Sequence, residues 1–104
     1  MYASCAEREV PMHAVVGRVA IEPERANEAR ELLDNFTIPT VKEQPGFISG
    51  TWMRSLDAAG GTSVLLVESE AAAKAIADRM AQGPPAGSPV TFVSAEVFEV
   101  LAQT

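Results

Sequence analysis

The chain lacks most of the residues on which common protein sites are built. Its 104 residues include one cysteine, Cys5, and one histidine, His13. A single cysteine excludes a disulfide within the chain and a cysteine-rich metal site. The longest apolar run, Val64 to Val67, is far too short to cross a bilayer. We therefore expect no metal site and no membrane-spanning segment.

Positive charge is also scarce. Eight lysines and arginines stand against fourteen aspartates and glutamates, which gives a net charge of −6. The basic residues are scattered between Arg8 and Arg79 rather than grouped in a stripe. A protein that binds phosphate backbones or anionic lipid usually carries such a stripe. We expect neither nucleic acid nor a membrane surface as a partner.

The first eleven residues, "MYASCAEREVP", show no periodicity and end at a proline. They contain two glutamates and lack the apolar centre of a signal peptide. We predict a flexible tail over residues 1–11, a single folded domain over residues 12–104, and a cytoplasmic location. The sequence leaves open whether the natural chain begins at Met12.

Hydrophobic periodicity predicts a ferredoxin-like α+β fold. Alternating apolar residues indicate four strands and helical spacing indicates two helices, in the order βαββαβ. With right-handed connections this order gives a four-stranded antiparallel sheet with both helices on one face. The strands are predicted at 13–22, 47–55, 62–68 and 90–102, and the helices from residue 23 and over 70–82. Pro39 predicts a break in the first helix, followed by one more turn.

The third strand is apolar on both faces, with Val64 and Leu66 on one and Leu65 and Val67 on the other. Two helices cover only one face of the sheet, so the second face needs another cover. We predict an isologous homodimer that buries this second face. The alternation of the fourth strand is imperfect, which indicates either a bulge near Phe98 or burial of both faces at its end.

The segment "EQPGFISGTWMRS", followed by "GGTSVLLVESEAAAKAIADRM", carries a family resemblance. A helix ends in Pro-Gly-Phe, a hairpin follows, and a strand ending in Glu-Ser-Glu leads into an alanine-rich helix. Over residues 13–101 this pattern resembles the dimeric α+β barrel superfamily, in particular small actinobacterial-type members of its antibiotic biosynthesis monooxygenase-like branch. The resemblance implies a homodimer with its sheets face to face and a small-molecule cavity between sheet and helices.

Relatives in this branch include cofactor-free, quinone-forming monooxygenases and haem-degrading oxygenases. For haem degradation the resemblance implies an asparagine on the first strand, a tryptophan on the second helix and a histidine further along that helix. Here Gly17 takes the first-strand position, the second helix has no tryptophan, and no histidine follows His13. We expect no cofactor. Two classes stay open: a cofactor-free monooxygenase acting on a small aromatic or polyketide-like substrate, and a non-catalytic homodimer that binds a small hydrophobic ligand or serves assembly.

Five residues are candidates for a site. His13 is either a base at the rim of the cavity or a half-exposed histidine at a strand entry. Gly17 leaves space for a ligand or for a bulky neighbour such as Phe36, which is itself a candidate ligand-binding residue. Trp52 and Arg54 share a strand face, where they suit a planar, anionic ligand. We favour the alternative that Trp52 fills the core or the contact between two sheets.

Overall fold

The computed structural model describes residues 12–104, so the predicted tail over 1–11 lies outside the described residues. The strands are β1 (His13–Ile21), β2 (Phe47–Arg54), β3 (Gly60–Val67) and β4 (Val90–Glu99). The helices are α1 (Ala26–Leu32), α2 (Ile38–Lys42) and α3 (Glu70–Ala81). A 3-10 turn, Pro23–Arg25, precedes α1, and a π-helical turn, Leu33–Thr37, joins α1 to α2. Together, residues 23–42 form what we call the first helix.

The sheet is antiparallel throughout, and its strands lie in the order β2-β3-β1-β4. This order, with the helices on one face, confirms the predicted ferredoxin-like fold. The core lies where α3 covers the two central strands. Its fully buried side chains are those of Val15, Leu65, Val67, Ala73 and Ile76. Among residues 12–104, no helix is long and apolar enough to span a membrane.

Pairing along β2 decides on which face Trp52 lies. Trp52 is paired with Ser63, and Gly50 with Leu65; both partners are buried on the helix side of the sheet. Trp52 packs against the core cluster from this side. Trp52 therefore packs in the core, which is one of the two positions that we favoured for it, and does not lie on the sheet face away from the helices. A register shift between Phe47 and Ser49 precedes this stretch and determines which residues of β2 face the helices.

The imperfect alternation of β4 does reflect a bulge, but the bulge does not lie near Phe98 as predicted. The register shifts between Arg18 and Val19 of β1, opposite Val93, which is 58% exposed. The prediction of a bulge near Phe98 is wrong, since Phe98 is regularly paired with Ala14 on the face away from the helices.

The predicted break at Pro39 takes the form of the π-helical turn. The N–H of Ile38 donates to the carbonyl of Leu33, five residues earlier, so this turn of the helix contains more residues than an α-helical turn. Pro39 then stands in the first turn of α2, where its missing N–H costs little. The first helix therefore continues through the π-helical turn without ending.

The Pro-Gly-Phe turn ties the end of the first helix to β3 and α3. Gly46 has a φ of +84°, and its carbonyl accepts a hydrogen bond of 2.9 Å from the N–H of Glu68. A Cβ at Gly46 would lie 2.7 Å from the Cβ of Ala72 in α3. Both the backbone conformation and the close approach require glycine here.

We predict that Gly46→Ala destabilises the domain more than Gly87→Ala does. Gly87 has a φ of +82° but open space around it, so it shares the backbone strain without the collision. Strain costs about 1–2 kcal/mol in each variant, and overpacking adds about 1–3 kcal/mol at Gly46. Urea unfolding measures both; equal losses would mean that the contact with Ala72 contributes nothing.

Candidate functional site

A cavity of about 610 Å³ lies between the first helix and the helix-facing side of the sheet. Its volume falls within the range of about 300–1,000 Å³ that is typical of small-molecule sites. The cavity is toward the end of the sheet at which β1 and β2 finish and β3 and β4 begin. Its sheet-side lining includes Gly17, Val19, Ile21, Trp52, Arg54, Ser63 and Phe92.

The wall opposite the sheet comes largely from the π-helical turn. Leu33, Phe36 and Thr37 belong to this turn, and all three line the cavity. Phe36 is still 46% exposed, so its ring has room to gain contacts with a ligand. Wide helical turns of this kind often occur at functional sites. Together with Trp52 and Phe92 of the sheet, Phe36 gives the cavity an aromatic interior.

Four of the five candidate residues line this cavity: Gly17, Phe36, Trp52 and Arg54. His13 does not. It stands at the opposite end of β1, paired with Val67 and Glu99, and its Nδ1 is buried without a hydrogen-bond partner among the described residues. The geometry thus separates the one histidine of the described chain from the cavity.

The space above Gly17 is occupied by Met80 of α3 rather than by Phe36. A Cβ at Gly17 would collide with Cε of Met80 and lie 2.9 Å from Oγ of Ser63. The absence of a side chain at Gly17 thus lets α3 approach β1 closely. Met80 then forms part of the cavity lining instead of filling the cavity.

Three arginines line the cavity, and all three are solvent-exposed in part. Arg30 forms an ion pair with Asp34, with Nε and Oδ2 2.9 Å apart. Nη1 of Arg54 donates a long bond of 3.4 Å to the carbonyl of Ala26, at the start of the first helix. Arg79, in the last turn of α3, also lines the cavity and was not among the residues predicted from the sequence.

Arg25 fixes the start of the first helix near the same end of the sheet. Its guanidinium donates to Glu28 at 2.7 Å, to Glu22 at 3.4 Å, and to the carbonyl of Gly87 at 2.9 Å. The hydrogen bond from Arg25 holds the pKa of Glu28 below its usual value. Through Gly87, this network connects the helix to the loop that leads into β4.

The lining lacks the usual groups for proton transfer. Within residues 12–104, no aspartate, glutamate or histidine lines the cavity, and no three metal-binding side chains come together. The polar lining consists of the arginines with Thr37, Thr40, Thr62, Ser63 and Gln82. Such a lining offers apolar contacts and positive charge to a ligand, but no carboxylate or imidazole base.

The sequence matches the model of the antibiotic biosynthesis monooxygenase family over residues 12–78, well over half of the chain. The chain belongs to this family. The match covers β1, the first helix, β2, β3 and most of α3, which together form most of the cavity. A comparison with curated proteins gives no match.

Solved structures with this fold include a haem degrader, a cofactor-independent oxygenase and a monooxygenase. The haem degrader MhuD from Mycobacterium tuberculosis, with two haems bound, has a TM-score of 0.67, 21% identity, and coverage of 90% of this chain and 99% of its own. SnoaB, a cofactor-independent oxygenase from Streptomyces nogalater, has a TM-score of 0.60 and 20% identity, and the match covers 90% of this chain and 96% of SnoaB. The monooxygenase ActVA-Orf6 from Streptomyces coelicolor, bound to nanaomycin D, has a TM-score of 0.57 and 20% identity, and the match covers 98% of this chain and 97% of ActVA-Orf6. At these identities the likeness shows a shared fold.

We predict that Gly17 and Met80 are energetically coupled. Gly17→Ala destabilises the domain by about 1–3 kcal/mol, because the new methyl displaces the end of Met80. In a Met80→Ala background the same change costs less than half as much, since the colliding atoms are absent. Denaturant unfolding of the four proteins measures the coupling. Additive losses would show that Met80 does not occupy the space above Gly17.

Proposed function

We propose that this chain is a monooxygenase that oxidises a small phenolic aromatic in the cavity without a cofactor. The observation that carries the proposal is the aromatic interior of the cavity, formed by Phe36, Trp52 and Phe92, with arginines beside it. Membership in the monooxygenase family supports the reaction class. The fold shared with a cofactor-independent oxygenase is consistent with it.

The chemistry uses the electron density of the substrate. An ionised phenol transfers an electron to molecular oxygen, and recombination forms a carbon–oxygen bond at the para carbon. One oxygen atom becomes the second carbonyl of a quinone. The other leaves as water with the ring hydrogen and the phenolic hydrogen, so atoms and electrons balance with oxygen as the only oxidant. No step requires an electron source other than the substrate.

The contribution of this chain is binding, desolvation and charge. Phe36 and Trp52 hold the ring system, and the apolar lining keeps water from the reacting carbon. Arg54 favours the ionised phenol, because a nearby cation lowers the pKa of an acidic group. The substrate must lose its proton to solvent, since the lining supplies no carboxylate or imidazole base. We therefore expect activity to increase with pH up to the pKa of the bound phenol.

A second candidate is a non-catalytic homodimer that binds a small hydrophobic ligand. The absence of a base among the described lining residues favours this candidate. The two proposals agree on the site and differ on turnover. Oxygen consumption with a bound phenolic aromatic decides between them.

We predict that the protein consumes oxygen with anthrone, one oxygen molecule per quinone formed, and that EDTA does not reduce the rate. Phe36→Ala lowers kcat/KM about tenfold, which corresponds to one lost aromatic contact. Phe36 is 46% exposed, so its loss leaves the fold intact. Leu56→Ala, at the fully exposed hairpin tip, is the control and retains activity. Binding without turnover would favour the non-catalytic candidate.

We also propose that two copies associate through the sheet face away from the helices. Val16, Val64 and Leu66 are apolar and only partly buried on this face, and Phe98 is 46% exposed there. Association would remove them from water. The cytoplasmic location stays a prediction from the sequence.

We predict a particle of twice the 11.0 kDa chain mass by light scattering. Val64→Glu shifts it toward the monomer, because a carboxylate at the centre of this face would be buried without a partner. Ala75→Glu places the same charge on an exposed position of α3 and retains the dimer. A wild-type monomer at micromolar concentration would contradict the proposal.

A further inference from the structure

The sheet face away from the helices carries two charged side chains of opposite sign. Most of the residues that strand pairing places on this face are small, apolar or hydroxyl-bearing. Arg18 of β1 and Glu96 of β4 are the only charged residues among these paired positions of the described strands. Both residues are exposed. The face is therefore neutral in sum, but it contains one cation and one anion in largely apolar surroundings.

Arg18 and Glu96 are neighbours that do not bond to each other. Arg18 is paired with Ser94, and Glu96 with Val16, so the two lie one diagonal step apart on adjacent strands. Long side chains can reach each other across such a diagonal. Yet neither Arg18 nor Glu96 forms an ion pair or a side-chain hydrogen bond with another residue in the range 12–104. Each charge is thus available to a group of another molecule.

A groove of about 510 Å³ lies beside Arg18 on this side of the sheet. Met53, Thr62 and Val93 line the groove together with Arg18. Met53 and Val93 are both exposed, so they have apolar surface left to bury. The guanidinium of Arg18 therefore stands at a depression that a side chain from a second molecule can enter.

The symmetry of the proposed association decides what meets Arg18. In an isologous pair, a contact of one residue with another is repeated with the two subunits exchanged. A two-fold axis that passes between Arg18 and Glu96 places each of them opposite the other residue of the second copy. An axis through either residue would instead place like charges together. A charge buried without an opposite charge is costly, so the first arrangement is favoured.

We propose that Arg18 of each copy forms an ion pair with Glu96 of the partner subunit when two copies associate through this face. The two symmetric pairs determine how one sheet lies on the other, because apolar contacts alone are not directional. The pairing rests on the association proposed above and adds to it the residues that set its geometry. It assigns Arg18 and Glu96 a role that the cavity does not give them.

Arg18→Glu and Glu96→Arg each place like charges opposite each other twice in the dimer. We expect either variant to weaken association about 100-fold, measured by sedimentation, and the variant with both changes to associate as the wild type does. Lys74→Glu and Asp78→Arg make the same changes of charge at exposed positions of α3 and retain the dimer. Far-UV circular dichroism checks that every variant is folded.

Mixing the two single variants tests whether the charges meet between subunits. In a mixed dimer the two changed positions face each other with opposite charges, and so do the two native residues. We expect dimers to form again in an equal mixture of Arg18→Glu and Glu96→Arg, and native mass spectrometry distinguishes the mixed dimer from either homodimer. An ion pair within one chain gives no such recovery, because each variant chain keeps its own two like charges.

The ion pairs and the association are tested separately. Recovery of the dimer in the mixture and in the variant with both changes supports the ion pairs. Single variants that stay dimeric, or that stay monomeric in the mixture, overturn the ion pairs and leave the association through this face standing. A wild-type monomer at micromolar concentration overturns the association, and the ion pairs with it.

Discussion

The packing of α3 on the two central strands is the interaction on which the rest of the structure depends. Ala73 and Ile76 of α3 pack against Val15, Leu65 and Val67 of the sheet. Gly17 also lets Met80 of α3 approach the sheet closely. This contact covers the part of the sheet formed by β1, β3 and β4. The first helix covers the remaining part of the sheet and has no comparable set of buried side chains. The cavity is the space between this helix and the sheet.

The cavity combines properties that the surface of the chain does not have. Most of the charge in residues 12–104 is negative, yet the lining contains arginines and no carboxylate. Three of its lining side chains are aromatic although aromatics are only 6% of the sequence. A site of this composition offers aromatic contacts and positive charge to a ligand, but no carboxylate or imidazole for proton transfer. That combination suits a reaction in which the substrate supplies both the electrons and the ionisable group.

Sequence reasoning reached the fold because strand and helix periods and the Pro-Gly-Phe turn are local signals. It placed Gly17, Phe36, Trp52 and Arg54 as candidates, and all four line the cavity. The position of the bulge in β4 was not predicted correctly. One extra residue in a strand moves the following side chains to the opposite face, and no residue near Val93 marks the bulge in the sequence. Arg79 was missed because an exposed helical arginine looks like any solvated charge until the sheet and the first helix are assembled around it.

The central claim is that this cavity inserts one atom of molecular oxygen into a phenolic aromatic. Incubation of the protein and anthrone under isotopically heavy oxygen, followed by mass spectrometry of the quinone, tests it most directly. We expect one heavy oxygen atom in the product, formed at a rate that depends on the protein and is about tenfold lower in Phe36→Ala. A quinone without the heavy atom, or one formed equally fast without the protein, would contradict it.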